Sequence, residues 1–360
     1  MAARSEPMAP SRPRVARVGA AARRPVVLGI VIVVLLLGAL VLGVGMGTVA
    51  VDPRDTLGIL GHRLLGLDLT RTWTEQSEVI VMDLRLPRVL TTMLVGMALA
   101  VSGVTFQGLL RNPLADPYVL GTASGAALGA AIAVLIPVRS VVLGFGLLNG
   151  FAFVGALLAV TVVYRFARLS GLAPLTGLLL TGYAIGSLLA AGLAMAMYLS
   201  GAGLRQIFGY LLGGFTSASW EHLAGALPIV LVGSGLIMLR ARTLHGLLLG
   251  EETAAHLGID VRRERRILLS LASLVTAAAV AISGLIGFIG LVVPHVVRLL
   301  VGPSARLVLP LSALGGAALL AYADLAARLM GDIPVGVVTA LIGAPFFIVV
   351  LRRSRAGYEL

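Results

Sequence analysis

The stretch LGEETAAHLGID at residues 249–260 places ionisable side chains between two apolar regions of the chain. It contains Glu251, Glu252, His256 and Asp260. These residue types could bind a metal ion, but the five histidines of the chain are scattered and form no HxxxH or HExxH pair. We therefore predict no metal site and no catalytic residues.

Two residue types are missing from the sequence, and their absence excludes several functions. There is no cysteine, which excludes disulfides, thiolate metal sites and cysteine nucleophiles. There is no lysine either, because all 28 basic residues are arginine. The phosphate-binding motif GxxxxGK[ST] needs a lysine, so ATP, if it is used, must bind to another chain. The net charge of +12 could indicate a nucleic-acid partner, but the arginines cluster at the ends of apolar runs, and we expect no nucleic acid.

The remaining sequence is strongly apolar. Hydrophobic residues make up 58% of the chain and charged residues only 12%, with a mean hydropathy of +1.02. Soluble domains carry about 25% charge, and several runs here reach the roughly 20 residues that cross a bilayer. We predict an all-α polytopic membrane protein. Residues 25–353 form its transmembrane domain, residues 1–24 a disordered basic cytoplasmic tail and residues 354–360 a second cytoplasmic tail.

Hydropathy predicts about ten transmembrane helices, so both termini lie on the same side. Most arginines fall on the segments that share a side with the termini, which makes that side cytoplasmic by the positive-inside rule. The segment QIFGYLLGGF (206–215) is too short to span and is predicted to be re-entrant or interfacial. The predicted spans are 26–50, 88–110, 118–137, 140–164, 174–199, 223–240, 266–284, 287–300, 307–329 and 335–351.

In this topology the opening stretch is a short cytoplasmic helix. Gly250 precedes it, Glu251 and Glu252 occupy its first turn, and Gly258 can end it. The segment RRERR follows at the membrane surface. A solvated loop would not need such clear signals for the start and end of a helix. The pattern therefore favours a helix that contacts a cytoplasmic partner.

Two arginines on the outer side need an explanation. In LRLPRVL (84–90), Pro87 suits the first turn of the second span, so Arg85 and Arg88 flank a helix N-terminus. That end is unfavourable for a cation, because the helix dipole is positive there. The arginines could extend to the membrane interface or pair with Asp83; alternatively, they could form a docking point for an acidic soluble partner.

A third outer arginine, Arg328, lies at the end of the ninth predicted span. Asp324 precedes it by one helical turn and Asp332 follows it by four residues. This spacing predicts a local ion pair.

The inner segment RNPLADPYVLGTASGAALGA (111–130) predicts a tight turn followed by a closely packed helix. Asn112-Pro113 breaks the preceding helix, and Asp116 can cap the next one. Glycines then recur every fourth residue, a pattern that lets another helix approach closely. Further along, GLIGFIGLVVPH (284–295) predicts a broken helix, whose backbone must be buried or line a cavity.

Six of these segments together resemble the FecCD family, which comprises permease subunits of type II ABC importers for iron-siderophores, haem and cobalamin. The resemblance runs in order from about residue 26 to 353. The segments are LRLPR, NPLADP, GEETAAHLGI, GLIGFIGLVVPH, LPLSALGGA and IPVGVVTALIGAPFF.

The resemblance implies roles for particular residues. Residues 249–258 look like the coupling helix that sits in a cleft of the ATPase, and the outer arginines match those that pair with glutamates of a substrate-binding protein. The implied coupling residues are Gly250, Glu251, Glu252, Thr253, Ala254, Ala255, His256, Leu257 and Gly258; the docking residues are Arg85, Arg88 and Arg328. The implied cytoplasmic gate holds Asn112 and Leu114, and the candidates that line the pathway are Thr176, Thr181, Tyr183 and Ser187.

The resemblance also implies partners. We expect a second permease copy, as a homodimer or a heterodimer of like subunits, with two ATP-binding subunits and a soluble binding protein in the cytoplasmic (inner) membrane. This chain itself is expected to bind no cofactor, since ATP and Mg²⁺ lie on the ATPase. A ferric siderophore is the first substrate expected, then haem, then cobalamin.

Other classes of membrane protein fit the sequence less well. An ion-coupled secondary transporter would need ionisable residues near mid-membrane, whereas the charges here lie at the ends of the predicted spans. An intramembrane enzyme would need a placed Ser/His or Asp/Asp pair, which the sequence lacks.

Overall fold

The computed structural model describes residues 15–47, 49–136, 141–142, 145–169 and 174–355, and these are almost entirely helical. A two-residue antiparallel pairing of β1 (Val141–Val142) with β2 (Phe145–Gly146) is the only sheet among them. The helices are α1 (Val15–Gly45), α2 (Pro53–Leu65), α3 (Glu75–Val79), α4 (Leu86–Leu109), α5 (Thr122–Leu135), α6 (Leu147–Leu169), α7 (Pro174–Leu199), α8 (Leu204–Leu212), α9 (Trp220–Leu239), α10 (Ala241–Leu248), α11 (Glu251–His256), α12 (Val261–Ser283), α13 (Ile289–Val301), α14 (Ala305–Leu329) and α15 (Val335–Arg355).

The predicted all-α membrane fold is confirmed. Within the described ranges, eight helices are long and apolar enough to cross a bilayer. Two shorter apolar helices, α5 and α13, fall where the spans 118–137 and 287–300 were predicted. The total of ten spans and the cytoplasmic side of the termini remain predictions. Helix α8 has nine residues, too few to cross, as expected for residues 206–215.

The ends of several helices differ from the predicted ones. Helix α1 begins at Val15 and so extends through residues 15–24, which were predicted to be a disordered tail. Ala and Arg are strong helix formers, which accounts for the extension. Residues 1–14 and 356–360 lie outside the described part of the chain. The fourth span begins at Leu147 rather than at 140, because the β1–β2 pairing precedes it.

Helix α4 lies at the centre of the molecule and packs against α9, α12, α13 and α14. Nearly all of its residues are buried. A Cβ on Gly103 would overlap the carbonyl group of Gly290 in α13, and a Cβ on Gly96 would overlap that of Gly316 in α14. These glycines therefore bring the helix backbones into direct contact, as small residues do in membrane helix packing.

Glycines also hold α5 against α6, as the four-residue repeat predicted. A Cβ on Gly125 would lie 3.0 Å from the carbonyl carbon of Gly155, and one on Gly129 would lie 2.8 Å from that of Phe151. Gly121 has a different role: its φ of 77° ends the preceding turn of 3₁₀ helix in the left-handed region, which glycine adopts without strain.

The predicted break between α12 and α13 is present at residues 284–288. Gly284 has a φ of 68° and ends α12, while Phe288 adopts a φ of 69° just before α13 begins. Tyr118 ties this segment to the turn before α5, since its hydroxyl donates to the carbonyl of Ile286 at 2.9 Å. The residues of the irregular backbone are buried or half-buried and none is exposed, and such backbone is tolerated at membrane depth inside protein.

Candidate functional site

The three outer arginines come together around one cavity of about 230 Å³. Arg85 and Arg88 reach it from the start of α4, and Arg328 from the end of α14. Asp332 and Phe215 also line this cavity. The structure thus joins residues far apart in the sequence into one cationic site, in which Arg88 and Arg328 pair with the carboxylates of Asp324 and Asp332.

Arg85 is buried, with 6% of its surface exposed. Its Nη1 atom donates to the carbonyls of Val44 at 3.1 Å and Gly45 at 2.8 Å, and its Nη2 atom donates to Val49. The last carbonyls of a helix lack partners and form the negative end of its dipole. Arg85 therefore satisfies the C-terminal end of α1.

Arg88 forms ion pairs with two aspartates. Its Nη2 atom lies 2.9 Å from Asp324 Oδ1 and 2.9 Å from Asp332 Oδ1, and its Nε atom also donates to Asp324. The pairing with Asp83 that the sequence allowed is therefore wrong. Asp83 is near in sequence, but Asp324, which is 1% exposed, meets Arg88 across the α4–α14 contact.

Arg328 makes the local ion pair that its spacing predicted, with Nε 3.1 Å from Asp324 Oδ2. Its Nη1 atom donates to the carbonyl of Gly43 at 2.9 Å. Its Nη2 atom is buried and has no hydrogen-bond partner within the described residues. Asp332, the other aspartate in this turn, pairs with Arg88 instead.

Arg85 and Arg88 do not lie at a helix N-terminus, so that prediction was wrong. Helix α3 starts at Glu75 and continues through a π-helical segment, Ile80–Arg85, directly into α4. The two arginines therefore lie inside a continuous helical run of 35 residues, away from its positive end. The π-helical segment widens the backbone just before Pro87, which cannot donate a hydrogen bond. The carbonyls that Arg85 contacts and the aspartates that Arg88 contacts explain why these two arginines can be buried.

On the opposite side, α11 has the form predicted for a coupling helix. Gly250, with a φ of 115°, precedes Glu251, and Gly258, with a φ of 78°, follows the helix. Ala254 is fully buried and attaches α11 to the body of the protein. The side chains of Glu252, Thr253, Ala255 and His256 on α11, and of Leu257 just after it, are exposed.

Glu251 differs from Glu252, because it faces other parts of this chain. Its Oε1 atom lies 3.2 Å from Arg111 Nη2 and also accepts a hydrogen bond from Arg265. The Arg265 hydrogen bond lowers the pKa of Glu251 more than partial burial raises it, and the charges of Arg265 and Arg111 lower it further. Glu251 is thus held as a carboxylate.

The predicted gate residues lie in a well-ordered turn between α4 and α5. Asn112 Oδ1 accepts from the backbone N–H of Leu114 at 2.9 Å, which closes an Asx turn. Asn112 is exposed and Leu114 half-buried. Asp116 accepts from the N–H of Tyr118 at 2.8 Å and caps the 3₁₀ turn that begins at Pro117, as predicted. Their role in gating stays a prediction.

Sequence reasoning missed a polar pair inside the helix bundle. Gln107 is 2% exposed, and its Nε2 atom donates to the carbonyl of Gly290 at 3.2 Å. Arg298 donates to Gln107 Oε1 at 3.0 Å. In the sequence, Gln107 stands out as an isolated amide near the end of an apolar helix. Its partner, Arg298, is 191 positions away, so the pairing could not be predicted. The pair fixes the inner end of α4 against α13.

The four pathway candidates lie on α7, the least buried of the eight long helices, with 11% of its apolar window buried. Thr176, Tyr183 and Ser187 are exposed, and Tyr183 has 78% of its surface accessible. Their spacing places these three on one face of the helix, from which Thr181 points away. The structure thus leaves a partly polar face of α7 open in the single chain, and the pathway role remains a prediction.

No group of three or more His, Cys, Asp or Glu side chains that could hold a metal ion occurs within the described ranges.

Comparison with known proteins identifies the family. The FecCD transport family matches residues 33–353. A cobalamin import system permease protein of Halobacterium salinarum is 47% identical over 77% of this chain and 74% of its own length, and a hemin transport system permease protein of Yersinia pestis is 43% identical over 83% and 92%. A solved structure described as a metal-chelate type ABC transporter in an inward-facing conformation superposes with a TM-score of 0.78 at 30% identity, covering 91% of this chain and 99% of the other. The chain therefore belongs to the FecCD family of multi-pass ABC permeases of the cytoplasmic membrane.

Proposed function

We propose that this chain is the transmembrane permease subunit of an ATP-driven importer, which passes a metal chelate from a soluble binding protein to the cytoplasm. The observation that carries the proposal is α11. It is anchored by Ala254 and Glu251, while its other four side chains are exposed. A short exposed helix fixed in this way is suited to receive a force from an ATPase and pass it on.

The proposed substrate is a metal tetrapyrrole, with cobalamin first and haem second. The named relatives support this ranking, since the cobalamin permease is 47% identical and the hemin permease 43% identical. A ferric siderophore, which the sequence alone ranked first, becomes the third choice.

The proposed complex contains two permease copies, two ATP-binding subunits and one binding protein. ATP and Mg²⁺ bind to the ATPase, and this chain binds neither. The exposed face of α7 is suited to line a pathway between the two copies, because its polar residues would be costly to leave against lipid. The outer cavity with its three arginines is suited to receive an acidic side chain of the binding protein.

The experiment begins with purification of the tagged chain in detergent from its own membranes, and mass spectrometry of what co-purifies. The resulting complex, with its ATPase and binding protein, is then placed in proteoliposomes. Uptake of cobalamin, hemin and a ferric siderophore is measured with ATP and with a non-hydrolysable analogue. ATP-dependent uptake of cobalamin is the expected result. Uptake of the siderophore alone would refute the substrate, and purification without any ATPase would refute the importer.

One observation favours a second candidate, an ion-coupled secondary transporter. Asp324 is a buried carboxylate within a membrane-spanning helix, and such groups often bind coupling ions. However, Arg88 and Arg328 both bind this carboxylate, so a cation would have to displace two guanidinium groups. Uptake driven by a proton or sodium gradient, in proteoliposomes that hold the chain alone, would support this candidate.

A further inference from the structure

The coupling helix and the gate turn are joined by a direct ion pair. Arg111 follows the last turn of α4, and its Nη2 atom lies 3.2 Å from Oε1 of Glu251, the first residue of α11. The two residues are 140 positions apart in the sequence. Helix α11 packs against α10 and α12, so this side-chain contact links it to the turn that carries Asn112 and Leu114.

The backbone of Arg111 ends α4 in a helix-capping turn. Its φ of 47° lies in the left-handed region, which is unfavourable for a residue with a Cβ atom. The N–H groups of Arg111 and Asn112 donate to the carbonyls of Gly108 at 3.3 Å and Gln107 at 3.1 Å, the pattern of a Schellman cap. Arg111 thus has a fixed place at the end of α4, from which its side chain reaches Glu251.

The other end of the link is also fixed. Glu251 accepts a hydrogen bond from Arg265 at the start of α12, so its carboxylate is held between two arginines from different helices. Above the turn, Gln107 binds the carbonyl of Gly290 and the side chain of Arg298. The turn is therefore attached on one side to the packed body of α4 and on the other to the small helix that faces the partner.

We propose that Glu251 is a positioning residue that transmits movement of α11 to the gate turn through Arg111. The proposal rests on the proposed function, because it assumes that an ATPase moves α11. Both side chains are partly exposed, at 38% for Arg111 and 43% for Glu251. An ion pair with this exposure is weak enough to break and re-form within a transport cycle. Glu252, beside it, is exposed and free to contact the ATPase.

The test uses the absence of cysteine from the sequence. Leu114→Cys introduces a single thiol in the gate turn, whose rate of modification by a thiol reagent on the cytoplasmic side is measured in the complete complex in proteoliposomes, with and without ATP. Arg111→Gln, Glu251→Gln and the double variant are compared in this background. We expect each single change to reduce the ATP response of the thiol roughly two- to five-fold, the range for a partly exposed pair.

The double variant should lose no more of the ATP response than the more strongly affected single variant, because the two changes remove the same interaction. Glu264→Gln is the matched control: it removes the carboxylate that lies 3.3 Å from Arg240 at the same face, without touching the gate turn. It should keep the full response. Glu251→Asp should recover part of the response, which separates positioning from folding.

Independent losses that multiply in the double variant would overturn the link, and so would a full response in Glu251→Gln. If the parent complex showed ATP-dependent uptake but no ATP-dependent change at position 114, the link would be wrong while the proposed function stood. If it showed neither, the proposed function would fail, and the link with it.

Discussion

Replacing Gly103 with alanine should destabilise the protein through a backbone overlap that no side-chain rotation can relieve. A Cβ at this position would lie 2.6 Å from the carbonyl carbon of Gly290 and 2.7 Å from its Cα atom, and would overlap the carbonyl oxygen. All three atoms belong to the backbone of α13. The two helices would have to move apart, and α13 is also held by Gln107 just below.

The size of the effect follows from two opposing contributions. Inserting a methyl group into a packed interior costs about 1–3 kcal/mol, and the upper end applies because the overlap is with backbone. Alanine is favoured over glycine in a helix by about 1 kcal/mol, which offsets part of the cost. The net loss is about 2 kcal/mol, which corresponds for a chain of this length to a fall in melting temperature of roughly 3 °C.

The assay is thermal unfolding in detergent, followed by the loss of the monodisperse peak in size-exclusion chromatography. Gly235→Ala in α9 is the matched control, because a Cβ there would meet nothing within 4 Å. The control should melt at or slightly above the parent temperature. If Gly103→Ala melted with the parent, or if both variants lost the same stability, the close α4–α13 contact would be refuted.

Three further predictions concern the charged sites. Asp324→Asn should cost about 3–5 kcal/mol of stability, because it removes the buried carboxylate that binds Arg88 and Arg328, and thermal unfolding in detergent checks it. Reversing Arg85, Arg88 or Arg328 to Glu should weaken binding of the substrate-binding protein, with a loss that shrinks in high salt, and unchanged affinity in a variant that still folds would limit the arginines to a structural role. Glu252→Arg should uncouple ATP hydrolysis from uptake without lowering the melting temperature, since the side chain is exposed, and unaltered uptake would remove Glu252 from the ATPase contact.

The membrane helices could be predicted because hydropathy is a local property of the sequence. All eight long helices overlap a predicted span. The errors lie where a helix continues through polar residues. EQSEV at 75–79 falls outside the predicted span 88–110, yet it begins the helical run that ends at Leu109, because Thr74 caps it and the glutamates favour its N-terminus. Hydropathy identifies the apolar residues that cross a membrane, but it does not show whether the helix continues into polar residues. It therefore did not predict this extension.

The candidate functional residues could be named from the sequence, but their contacts could not. The motif around Glu251 predicted a short helix with the observed ends. Nothing in this motif indicated that Glu251 faces Arg111 while Glu252 faces outward. The two glutamates are the same residue type at adjacent positions, and only the directions of their side chains differ. Similarly, the outer arginines were recognised as unusual, but Arg88 binds an aspartate 236 residues away. Such pairs depend on helix packing, which a local pattern does not contain.

The packing of α4 determines where movement can occur. Direct backbone contacts at Gly103, with Gln107 bound to α13, join α4 to its neighbours, so it cannot shift alone. If α11 pulls on Arg111 as we propose, the movement would be absorbed beyond the last turn of α4, in residues 110–115, where the backbone leaves the helix. In Gly103→Ala, α4 would pack less tightly against α13, and part of the movement would be spread along α4. We therefore expect a folded Gly103→Ala complex to hydrolyse ATP normally but to show a smaller ATP response at position 114, and a full response would mean that the gate turn moves without a rigid α4 behind it.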